Sequence, residues 1–293
     1  MKITDYPSVT ELAENDTFLV DGPDGTRQIT AKDLSSAMFS GGDESKDIFD
    51  ILDKSFKGPA RRMLWRGKNL GGAVTDKQYD QIGSGDFQGL FLGDYWEIDG
   101  RIWRIVDFDY WLGTGDVECT THHLVIMPDR QLYTEKMNAT DVTTGAYVNS
   151  VMYKTGLTNA KTVVDGAFMT AHILDHREYL QNATTSGYAS AGAWMGSTVE
   201  LPNEVMMYGS YIFTPAGSGA IVVSRQTVNK GQLAGMMANP MLISPHRENQ
   251  WLRDVVSATS FARLNLSGIA DSLGASNAAG VRPVFGICKE NEG

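Results

Sequence analysis

Trp96-Glu97-Ile98-Asp99-Gly100-Arg101-Ile102-Trp103-Arg104-Ile105 sets large apolar residues at alternate positions on both sides of Asp99-Gly100. That pair suits a two-residue hairpin turn because both of its positions take positive φ. Trp96, Ile98, Trp103 and Ile105 then share one face of an antiparallel sheet. A further strand is expected from His122 to Met127, closed by Pro128-Asp129. Two core helices should follow. Asp141 caps the first, which carries Val148, Val151 and Met152 on one side and ends at Gly156; the second places Val164, Ala167, Phe168, Ala171 and Leu174 at helical steps. Beyond Asn182 the chain turns to Gly, Ser, Tyr and Ala, with short strands expected at 199–201, 211–213, 221–224, 261–266 and 281–287 and a Ser267-Gly268 turn after the fourth. The fold class is α+β.

The N-terminal stretch reads differently. Thr17 to Val20 and Arg27 to Thr30 flank Gly22-Pro23-Asp24-Gly25, a hairpin, and Thr30 with Asp33 forms a partial capping box for a short helix from Ala31. A hairpin and one short helix bury too little to stand alone, so this segment must dock on something. Ser40-Gly41-Gly42 interrupts it; Asp43-Glu44-Ser45 then opens a helix that runs through Lys57 and is ended by Gly58-Pro59. Ile48, Ile51, Leu52 and Phe56 form an apolar stripe, read as packing on the chain's own core, the alternative being copies of itself about a threefold axis. The expected organisation is a 1–40 attachment segment, a 41–61 linker helix and a 62–293 main domain.

The 293 residues are 42% hydrophobic and 20% charged, enough apolar content for a folded core. Thirty-one glycines against nine prolines point to many tight turns and prominent loops. A net charge of -10 opposes phosphate, and no basic cluster exceeds Arg61-Arg62, so no nucleic-acid partner is expected. The N-terminus lacks the pattern of a secretory signal and no apolar run reaches membrane-spanning length, so the chain is expected to be made in the cytoplasm without a membrane partner. Cys119 and Cys288 form no CxxC and are expected as two buried thiols, with a disulfide left open.

No set of residues assembles a reaction centre. His172 and His176 have metal-ligand spacing on the expected helix but lack a third ligand, so helix-face hydrogen bonding is the expectation. His122 and His123 point to opposite strand faces, one buried and one exposed. Asp107 and Asp109 would share a face, but among Phe108, Tyr110 and Trp111 they read as a solvated loop beside an aromatic cluster. Gly217-Ser218-Gly219 lacks the downstream residues of a phosphate loop. The expectation is no catalytic residue, no metal and no cofactor.

Four stretches in order carry a resemblance: Gly93-Asp94-Tyr95-Trp96-Glu97-Ile98-Asp99-Gly100 through Trp103-Arg104-Ile105; Thr121-His122-His123-Leu124-Val125-Ile126; Leu201-Pro202-Asn203-Glu204-Val205-Met206-Met207-Tyr208-Gly209-Ser210; and Trp251-Leu252-Arg253-Asp254 through Gly280-Val281-Arg282-Pro283-Val284. Over most of residues 62–288 the chain resembles a domain of uncharacterised function in phages and prophages of gut Firmicutes. That domain is similar to the C-type-lectin-like fold of formylglycine-generating enzymes and of the phage major tropism determinant. The first forty residues resemble the N-terminal adapters of phage tail and fibre proteins. The resemblance implies a virion protein such as a tail fibre or tail tip, homotrimeric, attached to other virion proteins through its N-terminal segment and binding a host cell-surface receptor, glycan or protein. It makes Trp251, Arg253, Arg282 and Pro283 framework. Ser257, Thr259, Phe261, Arg263, Asn265, Ser267, Ile269, Asp271 and Leu273 become candidate receptor-binding positions on the 254–279 segment. The catalytic branch of the fold needs paired working cysteines, which Cys119 and Cys288 do not match. The rivals are a purely structural capsid decoration, head fibre or collar protein and, more distantly, a glycan hydrolase using Asp107 or Asp109.

Overall fold

Asp99 and Gly100 both take positive φ, 51° and 69°, and close the expected hairpin between β3 (Tyr95–Ile98) and β4 (Arg101–Phe108). Trp96 lies opposite Trp103, and both are buried with Ile98 and Ile105. This computed structural model describes residues 17–22, 25–30, 48–180, 184–185, 188–189, 192–214 and 231–290. It divides into two compact units, 1–57 and 58–293. The division precedes the boundary read at 62 because Gly58–Met63 forms a 3-10 helix whose Arg61 and Arg62 bond to Asp86, Leu90 and Asp107 of the second unit.

The second unit is α+β and is built on two five-stranded sheets. One has the order β11 (Val199–Glu200), β16 (Val284–Cys288), β5 (His123–Pro128), β4 and β3, with every neighbouring pair antiparallel. The other runs β14 (Ala270–Gly274), β13 (Ser260–Leu264), β12 (Gln250–Val255), β15 (Ala278–Val281) and β6 (Tyr133–Lys136), with β12 and β15 parallel. Between β15 and β16 the chain crosses from one sheet to the other at Arg282-Pro283, so the single strand read over 281–287 is two. Smaller pairs are β7 (His176–Tyr179) with β10 (Trp194–Ser197), and β8 (Thr184–Thr185) with β9 (Tyr188–Ala189). The strand read at 211–213 is a run of bends.

β5 is buried along its whole length, because the first sheet is covered on both faces. Trp96, Trp103, Ile105, Ile126, Phe168 and Phe285 fill one side; Val106, Val125, Met127, Met206, Leu252 and Leu264 fill the other. A bulge in β4 between Ile105 and Asp107 turns the strand, so Asp107 faces away from the side that Ile105 occupies.

Of the two core helices expected from apolar spacing, one is shortened and the other is replaced. α2 (Asp76–Gly83) starts at a complete capping box of Thr75 and Gln78 and buries Tyr79 and Ile82. α3 (Thr158–Phe168) buries Ala160, Val164 and Phe168, then stops because Met169 takes φ 62°. Ala171 and Leu174, expected on this helix, lie beyond it; Leu174 reaches the core from extended backbone, its N–H bonded to Gly286 O at 3.0 Å. The helix expected after Asp141 is replaced by a 3-10 turn at Tyr147–Asn149 and a π turn at Met152–Gly156. Asp141 caps neither, since its carboxylate accepts the Ser276 N–H at 2.7 Å.

In the first unit β1 (Thr17–Gly22) and β2 (Gly25–Thr30) pair antiparallel, with Gly22 opposite Gly25. α1 (Ile48–Ser55) carries Ile48, Ile51 and Leu52 of the apolar stripe, with Ile48 exposed. The short helix from Ala31, the Asp43-Glu44-Ser45 helix start, the 221–224 strand and Gly217-Ser218-Gly219 lie outside the described residues. Among the described residues no helix is long and apolar enough to cross a membrane.

Candidate interaction surface

The nine candidate receptor-binding positions fall into three groups. Ser257 and Thr259 occupy the β12–β13 turn, their hydroxyls 3.2 Å apart. Asn265, Ser267 and Ile269 occupy the β13–β14 turn at the opposite end of a five-residue strand, roughly 17 Å away. Between them Phe261 faces Leu273 and Arg263 faces Asp271 on one side of the sheet. Phe261 is fully buried and Leu273 packs against the same core, so these two are not displayed. The sequence treats Ala262 and Leu264 as the only inward face, but this sheet is covered on both sides. Arg263 and Asp271 are partly exposed and paired at 2.7 Å.

The β13–β14 turn is held from within. Asn265 Oδ1 accepts the N–H groups of Ser267 and Ile269, and Gly268 O accepts the Tyr208 hydroxyl at 3.1 Å. Tyr208 ends α4 (Glu204–Tyr208), and the left-handed Gly209 turns the chain into 210–214. There the carboxylate of Glu204, itself fully buried, accepts the N–H groups of Ile212, Phe213 and Thr214 at 2.9–3.0 Å. Gly268 also packs on the loop after α5 (Ala234–Ala238): a Cβ there would lie 3.4 Å from Ser244 Cβ.

These tied segments, and residues 237–241, carry solvent-facing hydrocarbon. Tyr211, Ile212 and Phe213 lie 40–50% exposed, Leu266 and Ile269 53% and 61%, and Met237 and Met241 60% and 74%. Of these only Ile269 belonged to the candidate set. The others escaped sequence reading because exposed apolar residues in irregular segments have no period, and 211–213 read as a strand. Scattered surface hydrophobics need no explanation, but several on loops fixed by hydrogen bonds from beneath do.

The remaining candidates for chemistry lie inside. Glu178 accepts both Arg253 Nη atoms at 2.7 and 3.1 Å, Trp111 Nε1 at 3.0 Å and Ser197 Oγ at 3.0 Å. Burial works to raise its carboxyl, but the Arg253 guanidinium overcomes this and holds it down to about 2. Nearby Glu200 accepts the Tyr147 hydroxyl at 2.8 Å, and burial pushes its carboxyl up to about 7. Two carboxyls driven apart in this way mark acid–base pairs in many enzymes. Here Glu178 and Glu200 are 2% and 3% exposed, closed to any substrate in this conformation.

His176 lies on β7 and His172 on the Thr170–His172 3-10 turn, so they share no helix face. His172 stacks on Tyr79 at 3.7 Å. His123 is buried and burial lowers its pKa to about 4, while His122 is 38% exposed. Asp107 and Asp109, expected in a solvated loop, are both buried. Asp107 pairs with Arg62 at 2.6 Å and accepts the Ala234 N–H at 3.0 Å; Asp109 accepts the His123 N–H and lies 2.8 Å from His122 Nδ1. Both acids anchor backbone, which explains their burial. Cys119 and Cys288 are buried and not joined, and burial pushes the Cys288 thiol up to about 12. Among the described residues no cluster of three His, Cys, Asp or Glu fits a metal ion. Comparison with protein-family models, curated proteins and solved structures gave no match.

Proposed function

We propose that this chain is a phage virion protein, on a tail fibre or tail tip, whose second unit is a C-type-lectin-like domain that binds the host cell surface. The observation that carries the reading is the exposed hydrocarbon at 211–213 and 266–269, on two segments held from beneath by Glu204, Tyr208 and Asn265. A preformed apolar surface binds without the cost of ordering its loops. The framework role implied for Trp251, Arg253 and Arg282 has support in their burial. Trp251 Nε1 donates to Glu135 O, Arg253 holds Glu178, and Arg282 donates to Pro128 O, Leu242 O and Ile243 O. In the first unit, the apolar stripe of α1 suits attachment to other virion proteins and assembly as a homotrimer.

An Ile212→Ser, Ile269→Ser double variant separates this reading from a purely structural capsid decoration, head fibre or collar. Both side chains are at least half exposed, so the variant should melt within a few degrees of the parent. Host-cell adsorption should fall by about tenfold or more, as for loss of binding hot spots. Full adsorption by the folded variant would put the structural reading in front.

A further inference from the structure

A strand at the end of a sheet offers its outer N–H and C=O groups to any other chain. The second unit deals with each edge of its two five-stranded sheets. On the first sheet, residues 65–71 run alongside β3 through parallel bridges, Trp65 to Leu92 and Asn69 to Tyr95. The Tyr95 N–H goes to Lys68 O and the Glu97 N–H to Gly71 O, both at 3.0 Å. The opposite edge, β11, is two residues long. Among the described residues β14 and β6 end the second sheet with no strand beyond them. Bonded and non-bonded pairs alternate in an antiparallel ladder. The Asn265 N–H goes to Ile269 O and the Ala275 N–H to Thr259 O, at 3.0 and 2.9 Å. In that register Asp271 and Leu273 bond to β13, while Ala270, Ser272 and Gly274 turn their backbone outward. The central outward amide is capped by the preceding side chain: Asp271 Oδ1 accepts the Ser272 N–H at 2.8 Å. Asp271 Oδ2 accepts Arg263 Nη2 at 2.7 Å, which fixes the carboxylate there. β6 repeats the arrangement. Gly280 gives its N–H to Asn249 O beside β12, so Lys136, opposite Ala278, faces outward, and Glu135 Oε1 accepts its N–H at 2.8 Å.

We propose that the β14 edge is a latent self-pairing surface and that Asp271 closes it, its carboxylate occupying the amide through which β14 would pair with β14 of a second copy. Two copies related by a twofold axis at Ser272 pair antiparallel, each Ser272 N–H donating to the other's Ser272 C=O. That bond needs the donor that Asp271 holds. Asp271 is the only charged residue of Ala270-Asp271-Ser272-Leu273-Gly274, so the strand has no second charge to keep a copy away; β6 has both Glu135 and Lys136. The Arg263–Asp271 pair thereby gains a role on the β13–β14 hairpin that does not depend on host binding.

The test is sedimentation of the full chain over micromolar concentrations, where unpaired edges begin to associate. Asp271→Ala removes the acceptor, and its weight-average mass should rise by about twofold or more above the parent's. Asp271→Asn keeps an acceptor for the Ser272 N–H while losing the ion pair, and should sediment as the parent does. Asp271→Ala combined with Ser272→Pro has no N–H to offer at that position and should return to the parent mass. If Asp271→Ala does not fold, Asp271→Val, with higher strand propensity and likewise no acceptor, takes its place alone and with Ser272→Pro. A folded chain without the acceptor that keeps the parent mass overturns the proposal. So does association that persists with Ser272→Pro, or that Asp271→Asn shows in equal measure.

Discussion

Arg253 and Asp254 are consecutive residues of β12, yet they serve opposite kinds of region. Arg253 binds Glu178 in a core where charge is buried; Asp254 supports the loop where hydrocarbon is exposed. Both regions invert the usual preference for apolar inside and polar outside. The difference lies in what satisfies each inversion. In the core, Trp111, Ser197 and Arg253 supply every bond that the Glu178 carboxylate needs. At the rim the backbone is satisfied from below, and the side chains of Ile212, Phe213, Leu266 and Ile269 above it are 44–61% exposed. Buried polar groups here fix positions, and exposed apolar groups are what those positions present.

The largest effect that can break this contrast is loss of a core partner. Arg253→Ala leaves Glu178 buried without its counter-charge and should cost about 3–5 kcal/mol in chemical denaturation. A cost under about 1 kcal/mol would show that water reaches Glu178, and the core would no longer be closed.

A pH series sharpens the same contrast at intermediate scale. Glu200 and Asp254, raised by burial to about 7, keep in the folded chain a proton that the unfolded chain releases above roughly pH 4. Their contribution is full at low pH and is lost as pH rises through 7. His123 and His176, lowered by burial to about 4, stay neutral when folded, while unfolded imidazoles charge below roughly pH 6.5. Their contribution is present above that pH and is lost as pH falls towards 4. The melting temperature should therefore peak between about pH 5 and about pH 6.5; a maximum above about pH 8 would contradict the assigned burial of the two acids.

The smallest effect belongs to the display strand. The Arg263–Asp271 pair is 21% and 36% exposed, so Arg263→Ala should cost about 1 kcal/mol or less. A larger loss would mean that the pair is part of the core rather than its margin.

The legible parts of this molecule were those with local signals. Asp99-Gly100 fixed a hairpin whose four large residues do share a face, and Trp251, given a framework role, is buried. Helix ends were misread because apolar spacing continues past Met169, where the backbone turns left-handed for reasons outside the pattern. Asp107 was misplaced because it was read in a solvated loop, whereas β4 runs on to Phe108 and buries its carboxylate against Arg62 and the Ala234 N–H. Phe261 was taken as displayed because alternation identifies one inward face and is silent when a sheet is covered twice. The rim around Ile212 and Ile269 depends on Glu204 and Tyr208 bonding across turns, which no window of sequence displays.

β16 lies between β11 and β5 rather than at an edge, and the preceding Arg282 ties carbonyls of residues 128, 242 and 243. The strand made last among the sheets thus fills a central place in the first one. During synthesis β5 must wait for more than half of the chain before its neighbour exists, and loop closure over such separations is slow. A nascent chain of this kind exposes the edge of β5 until residue 288 has emerged, a period in which chaperones or neighbouring copies have their best access to it.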